Sequence, residues 1–147
     1  MEYSIEEFDK TKTKIMKYVV FKKRTEKEVK LKFKNEIEDD LLEDIIKYIK
    51  ENGYINDIHY MEKSFYEFKA LNNFSKKEMK HRFINKGISI NNVEDFFQKH
   101  LDELYEYELK SAKNIYNKKQ NKFSKDDLSN YLRKKGYLEE IIKEVLE

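Results

Sequence analysis

The sequence predicts an all-α protein of three tandem three-helix repeats, stacked as an elongated, slightly curved rod. Three observations carry this prediction. No stretch shows the sustained alternation of apolar and polar residues that marks a half-buried strand. Apolar residues instead recur at intervals of three and four, as they do on one face of a helix. Helix-start signals also return at spacings of 50 and 49 residues, which is typical of a repeat protein.

The repeated signal is a hydroxyl residue followed three positions later by an acid. Such a pair can close the first turn of a helix, because the hydroxyl accepts from the backbone N–H at the third position and the acid accepts from the N–H of the hydroxyl residue. The third acid is an aspartate, which is shorter and should cap less well. Apolar residues follow each hydroxyl at four, eight and twenty-one positions. The three sets are Thr25, Glu28, Val29, Phe33 and Ile46; Ser75, Glu78, Met79, Phe83 and Phe96; and Ser124, Asp127, Leu128, Leu132 and Val145.

Each repeat therefore consists of a long first helix, a short capped second helix and a third helix. Gly87 and Gly136 stand twelve positions after the second and third caps, where a glycine can end a helix in the left-handed conformation. The first repeat has Ile37 at that offset, and Gly53 ends the repeat. We expect one domain, residues 1–147, with repeats at about 4–52, 53–100 and 101–147 and helices at about 4–22, 25–35, 39–52, 57–72, 75–86, 91–99, 101–121, 124–135 and 138–146.

Apolar stripes support individual helices. A stripe at helical spacing marks the third helix of the first repeat and the first helices of the second and third repeats. Aromatic residues such as Phe65, Phe68, Phe96 and Phe97 could stack on nucleic-acid bases, but their helical spacing favours packing in the core. The stripes are Leu41, Leu42, Ile45, Ile46 and Ile49; Ile58, Met61, Phe65, Phe68 and Leu71; and Leu101, Leu104, Tyr105, Leu109, Ala112, Ile115 and Tyr116.

Composition excludes several classes of protein. The chain has no Cys, no Pro and three Gly, which excludes disulfide frameworks, thiolate metal sites and glycine-rich phosphate loops. No apolar run approaches the ~18–20 residues that span a bilayer, and the acidic start lacks the pattern of a signal peptide. Although 41% of the residues are charged, 39% are hydrophobic and 14% aromatic, which favours a folded protein with a charged surface. We expect it to be soluble and cytoplasmic.

No catalytic or metal site is visible in the pattern. The three histidines are 22 and 19 residues apart, which is not a helical ligand spacing. The paired aspartates stand where acids favour the start of a helix, and no serine has a nucleophile elbow or an acid–base partner nearby. We therefore expect no enzyme activity, no metal and no cofactor. The residues weighed are His59, His81, His100, Asp39, Asp40, Asp126, Asp127, Ser64, Ser111 and Ser129.

Charge follows the same period as the caps. Basic residues exceed acids by five between Lys22 and Lys34, by four over 75–86 and by six between Lys113 and Lys135. The third helices are acidic: residues 36–44 hold six acids and no base. Two interpretations stay open. The two kinds of helix could neutralise one another as solvated faces, or stacking could align the second helices into a positive stripe that meets an anionic polymer or an acidic protein groove.

Several short runs match the motifs of a known family. Residues 24–29, Arg-Thr-Glu-Lys-Glu-Val, are similar to the R-[ST]-E-K-E-[LV] opening of the RecX family of recombinase regulators, and residues 51–57 are similar to the LGYLDD junction that follows. The basic run that ends in Gly87-Ile88 resembles the central KGI helix, and residues 132–137 resemble the last repeat. The likeness covers about residues 10–147. The chain departs from the family at Asn72-Asn73-Phe74, where relatives have Gly or Pro with Arg.

The resemblance implies three tandem three-helix repeats and a function. A RecX-like protein is expected to bind the RecA recombinase and its filament on DNA, to lie in the filament groove and to inhibit recombination, with a place in DNA repair and the SOS response. We expect a monomer that makes no membrane contact and binds single- or double-stranded DNA, if at all, without sequence specificity. A helical nucleic-acid-binding module without a protein target stays open as an alternative, as does a helical scaffold. The basic residues in the matching motifs are Arg24, Lys27, Lys76, Lys77, Lys80, Arg82, Lys86, Arg133, Lys134 and Lys135.

Overall fold

The computed structural model describes residues 3–147, and within that range every regular element is an α-helix. The helices follow one another through short turns, without a strand in the described range. They are α1 (Ile5–Phe21), α2 (Glu26–Phe33), α3 (Asp39–Glu51), α4 (Asp57–Leu71), α5 (Lys76–Asn85), α6 (Ile90–Lys99), α7 (Leu101–Lys119), α8 (Lys125–Lys135) and α9 (Glu139–Leu146).

The sequence prediction of the fold class is confirmed. The described helices fall three to a repeat, and their ends lie within two residues of the predicted ones. The apolar positions that follow each cap are buried in all three repeats, with 0–8% of their surface exposed. None of the helices in residues 3–147 has the combination of length and apolar character that crossing a membrane requires.

The chain divides into two compact units. The first unit ends at Met61 and also includes Lys86–Ile88, and the second comprises Glu62–Asn85 and Ser89–Glu147. The core of the first unit is aliphatic apart from one aromatic ring, and a cluster in the second unit joins α7, α8 and α9. These clusters are Ile15, Val19, Val29, Phe33, Leu41, Leu42, Ile45, Ile46, Ile49 and Ile55, and Ala112, Ile115, Leu132, Tyr137, Ile141, Ile142 and Val145.

Aromatic residues of the second unit pack in the core, as their spacing predicted. Phe65 and Phe96 meet edge to face with centroids 6.0 Å apart, and Phe83 meets Phe96 in the same way at 6.0 Å. The apolar stripe on α4 is buried in its middle but not at its two ends, where Ile58 is 50% exposed and Leu71 is 59% exposed. Apolar spacing marks a helical face, but it does not show how far along that face the neighbouring helices reach.

Both predicted helix-ending glycines have the left-handed conformation. Gly87 has φ +94° and Gly136 has φ +103°. The space around them is also occupied, since a Cβ at Gly87 would overlap the side chain of Lys27 and a Cβ at Gly136 would overlap that of Lys77. Gly53 shares the conformation, with φ +79°, but has nothing within 4 Å of a Cβ. Positions 87 and 136 therefore require glycine both for the left-handed backbone and for the space that a lysine occupies. Position 53 requires it only for the backbone.

Replacing glycine by alanine should separate these two requirements. Gly53→Ala should lower the free energy of unfolding by about 1–2 kcal/mol, the cost of a left-handed residue with a Cβ. Gly136→Ala should cost more, because Lys77 must also move. Urea denaturation of both variants measures the two free energies of unfolding. Equal decreases would show that the Lys77 side chain moves away from the new Cβ at no cost in stability.

Candidate interaction surface

The second helix of each repeat begins at a hydroxyl cap. The hydroxyl of Thr25 accepts a hydrogen bond from the N–H of Glu28 at 3.1 Å, and the N–H of Thr25 donates to the carboxylate of Glu28, also at 3.1 Å. Ser75 and Glu78 form the same reciprocal pair at 3.1 and 2.9 Å. At Ser124 the described part of the chain shows only the forward bond, from the N–H three residues on, as expected for the shorter aspartate. The caps on which the repeat prediction rests are therefore confirmed.

In the first unit the cap of α2 is closed by the segment that follows α5. The hydroxyl of Thr25 donates to the carbonyl oxygen of Lys86 at 2.6 Å. The ammonium of Lys86 lies 3.4 Å from the carboxylate of Glu28. The missing side chain of Gly87 leaves room for Lys27 to cross it. One hydroxyl thus accepts from its own helix and donates to the following repeat.

The second unit contains the same arrangement at the start of α5. The hydroxyl of Ser75 donates to the carbonyl oxygen of Lys135 at 2.7 Å, and the ammonium of Lys135 lies 3.0 Å from the carboxylate of Glu78. Gly136 leaves room for Lys77. We call this set of contacts the repeat joint: a cap hydroxyl, its acid, and the Lys-Gly turn of the following repeat.

Each repeat joint contains a further acid that the sequence analysis missed. Asp57 accepts from the N–H of Glu26 at 3.0 Å, and Glu108 accepts from the N–H of Lys76 at 2.6 Å. These N–H groups are the first of α2 and α5, which have no partner within their own helices. The two acids are 51 residues apart, close to the repeat spacing, so extending the search for repeats to acids on the first helices would have found them.

Burial sets the ionisation of these acids. Glu108 is only 2% exposed, and this burial raises the pKa of its carboxyl, while the N–H and the ammonium of Lys76 act in the opposite direction. Burial likewise raises the pKa of Asp57, with the N–H of Glu26 opposing it. The neighbouring Tyr107 has its pKa raised to about 12, also by burial. The half-buried Asp57 and the buried Glu108 thus accept hydrogen bonds from the first N–H groups of α2 and α5.

Hydroxyl groups beside Glu108 bind the backbone ahead of α5. The N–H of Phe74 donates to the hydroxyl of Tyr107 at 3.1 Å, and the hydroxyl of Ser111 donates to the carbonyl of Phe74 at 3.0 Å. Ser111 is also hydrogen-bonded to the hydroxyl of Tyr137. Asn72, in the segment that departs from the resembling family, has φ +55°. The polar face of α7 therefore fixes a turn that carries neither the glycine nor the proline of relatives.

Several of the basic residues named from the sequence are ion-paired within the molecule. Lys80 pairs with Glu94 on α6, and Lys86 and Lys135 pair with the acids of the two repeat joints. Arg133 binds Glu139 through two nitrogens, one of them at 3.2 Å, and also donates to Asn130 and Ser129. Exposed ion pairs of this kind contribute about 0–1 kcal/mol each to stability. They nevertheless place an acid beside each cation, which makes the cation less available to a partner.

Other named basic residues lie over aromatic rings. The guanidinium of Arg24 is 4.0 Å from the ring centre of Tyr18, and its buried Nε has no hydrogen-bond partner among the described residues. The guanidinium of Arg82 is 4.4 Å from the ring of Phe74. The ammonium of Lys76 is 5.5 Å from the ring of Phe97. Cation–π contacts of this kind fix the position of a charge without cancelling it.

Three of the named lysines are exposed and make no ion pair within residues 3–147: Lys27, Lys77 and Lys134. In the second unit Lys77 and Lys134 lie together. They line an open groove of about 360 Å³ with His81, Tyr131, Lys135 and Glu78, which we call the α5–α8 groove. Lys76, Lys77 and Lys80 line a neighbouring cavity of about 280 Å³ with Glu94 and Leu138. The sequence could not show which lysines are free, because that depends on acids far along the chain.

The chemistry of the α5–α8 groove is that of an anion-binding surface. Its lysines supply positive point charges with freely rotating donors, which suits phosphates or carboxylates in a repeating array. His81, exposed on α5, and Tyr131, 38% exposed on α8, add further polar donors that the sequence analysis did not single out for this site.

The chain resembles RecX proteins in sequence and in fold. It is 27% identical to the regulatory protein RecX of Clostridioides difficile (strain 630) over 148 residues, covering 96% of this chain and 68% of that protein. The crystal structure of RecX from Lactobacillus salivarius matches with a TM-score of 0.82 and 22% identity, over 97% of this chain and 96% of that one. A crystal structure of regulatory protein RecX matches with a TM-score of 0.79 and 16% identity, over 94% of this chain and 70% of that one.

These findings show that the chain resembles RecX proteins over nearly its whole length. The structural likenesses establish the fold, and the sequence likeness extends over nearly the whole chain. The resemblance inferred from the short motifs is thereby confirmed. No family model matches the chain.

The repeat joint should make Ser75 more important than Ser124 for the stability of the fold. Ser75 is fully buried and both donates and accepts, so Ser75→Ala leaves buried groups unpaired and should lower the free energy of unfolding by about 2–3 kcal/mol. Ser124 is exposed, and Ser124→Ala should cost about 1 kcal/mol, as for an ordinary cap. Chemical denaturation measures both, and losses of equal size would contradict the shared hydroxyl.

The buried carboxyl of Glu108 should contribute a part of the stability that is lost as pH rises. Its pKa is higher in the folded state than the unfolded value of about 4.3, so the folded state binds the proton more tightly and loses stability as pH rises from the unfolded pKa through the folded one. Glu108→Gln removes this loss. Its unfolding free energy should therefore improve relative to the parent as pH rises above the unfolded pKa of about 4.3.

The control for this prediction is Glu106→Gln, which changes an exposed acid on the same helix. Denaturation at several pH values compares the three proteins. A difference between Glu108→Gln and the parent that stays constant with pH, or that moves the other way, would show that Glu108 is not held in a desolvated site.

Proposed function

We propose that this chain regulates the RecA recombinase by binding its filament on DNA and that it inhibits recombinase activity. The observation that carries the proposal is the likeness to regulatory protein RecX, which extends over 96% of the chain. The proposed role is binding rather than catalysis, in the cytoplasm, by a monomer.

The free lysines support a surface that contacts a repeating anionic partner. A nucleoprotein filament presents phosphates and protein at regular intervals, and lysines can bind such an array without reading base sequence. The α5–α8 groove offers Lys77 and Lys134, which make no ion pair with any residue of the described range 3–147. We propose that these two residues, together with Lys27 in the first unit, make the main basic contacts. The ion-paired and ring-stacked residues would act by positioning the helices.

A second candidate function is sequence-independent binding of nucleic acid without a protein target. The surplus of lysines on the second helices favours it, because phosphate contacts alone supply non-specific affinity. The two candidates differ in what the chain recognises on a filament. A regulator acts on the recombinase when bare DNA is left uncovered, whereas a nucleic-acid-binding module acts by covering the DNA.

The experiment that separates the two is ATP hydrolysis by RecA on single-stranded DNA, measured at increasing concentrations of the chain. Binding to the same DNA without RecA is measured in parallel. The proposal expects hydrolysis to fall at concentrations where bare DNA stays uncovered. Hydrolysis that changes only when the bare DNA is coated would support the second candidate, and hydrolysis that never changes would reject the proposal.

Reversing the free lysines should weaken binding without unfolding the chain. The double variant Lys77→Glu with Lys134→Glu should bind RecA filaments about tenfold or more weakly, because both charges are exposed and unpaired. The matched control is Lys63→Glu with Lys99→Glu, which changes the same net charge at exposed positions on α4 and α6. Equal losses for both variants would mean that only net charge matters. Circular dichroism checks that the helices are retained.

A further inference from the structure

An open groove in the first unit has walls of opposite charge. It lies between α2 and α3, has a volume of about 530 Å³, and we call it the α2–α3 groove. One wall carries lysines of α2 and its end, and the other carries acids from the start of α3. The lining residues are Lys27, Lys30, Leu31, Lys34, Asp39, Asp40, Leu42, Glu43 and Ile46.

The two walls do not neutralise each other. No ion pair within residues 3–147 joins a lysine of this groove to one of its acids, and Lys30 pairs instead with Glu26 on its own helix at 3.6 Å. Lys34 and Glu43 are exposed and make no ion pair in that range. Both walls therefore keep their charge available to a partner.

The floor of the groove is apolar. Leu31 is 57% exposed and supplies most of the apolar surface, while Leu42 and Ile46 line the groove but are themselves buried in the core. When a partner's apolar side chain covers this leucine, the complex is stabilised by roughly 25 cal/mol per Å² of apolar surface buried. The groove thus combines an apolar centre with a polar rim, as protein-binding grooves do.

The acidic wall decides which class of partner fits. Phosphates of a nucleic acid would be drawn to Lys34 but repelled by Asp39, Asp40 and Glu43 across the groove. A protein segment can present acids to one wall and bases to the other while inserting an apolar side chain between them. An amphipathic helix does this with residues on three adjacent strips of its surface.

We propose that the α2–α3 groove is a docking site for an amphipathic helix of a partner protein, seated with an apolar residue on Leu31, acids toward Lys34 and bases toward Glu43. The inference rests on the proposed function, and the partner is a subunit of the recombinase filament. The opposite charges of the two walls fix the direction in which the helix lies. The first repeat thereby contacts protein, whereas the α5–α8 groove has the charge to contact phosphate.

The test measures binding of three single variants to RecA filaments assembled on single-stranded DNA, and in parallel to the same DNA alone. Lys34→Glu and Glu43→Lys reverse one charge on each wall, and Leu31→Ser removes the apolar contact. Matched controls are Lys47→Glu and Glu51→Lys, which make the same charge changes at exposed positions of α3 outside the groove. Circular dichroism and thermal melting confirm that each variant is folded.

The proposal expects all three variants to weaken filament binding, by about threefold or more for each charge and about tenfold for Leu31→Ser, while the controls bind like the parent. Binding to bare DNA should weaken far less than filament binding for Leu31→Ser. If Glu43→Lys binds filaments more tightly while Lys34→Glu binds more weakly, the groove meets a polyanion and the proposal is wrong. It is also wrong if all three bind like the parent. A parent chain that does not bind filaments at all would instead overturn the proposed function.

Discussion

The cap hydroxyl shared between two repeats is the interaction on which the rest of this structure depends. A helix start leaves four backbone N–H groups without partners. The cap residues of α2 and α5, Thr25 and Ser75, are fully buried, so polar groups beside them need partners within the molecule. Thr25 and Ser75 solve this with a single oxygen that accepts from the third N–H and donates to the next repeat. Asp57 and Glu108 accept from the first N–H. Removing the hydroxyl would therefore disturb a helix start and its contact with the following repeat together.

The same joint explains how the basic residues divide between structure and binding. The lysine of the Lys-Gly turn accepts from the cap hydroxyl through its carbonyl and pairs with the cap acid through its ammonium. The lysine two positions after the cap crosses the glycine with its stem and keeps its ammonium free, as Lys27 and Lys77 do. One motif thus contributes a structural cation and a free one. The proposed regulation of RecA uses the free set.

Much of the fold could be predicted from the sequence because its signals are local and repeated. A hydroxyl cap, its acid and the buried positions four and eight residues later lie within one short helix, so spacing alone identifies them. The exposed ends of the α4 stripe, Ile58 and Leu71, could not be predicted, since exposure depends on where neighbouring helices stop.

The candidate site was less predictable for the same physical reason. Arg133 and Lys134 are adjacent in the chain and alike in charge, yet one is bound by Glu139 and the other is free. The partners that decide this are set by the fold. The basic positions of the motifs can be found in the sequence. The structure shows which of them have an ion-pair partner among the described residues. It also adds Asp57 and Glu108, which only a search for acids at the repeat spacing would have found.

Amide hydrogen exchange at the first N–H of each second helix tests the central claim most directly. The three equivalent amides belong to Glu26, Lys76 and Lys125. The first two donate to Asp57 and Glu108, and the third has no acceptor among the described residues. The account predicts that the amides of Glu26 and Lys76 exchange at least about tenfold more slowly than that of Lys125, relative to their intrinsic rates. Equal protection at all three positions would contradict the repeat joint.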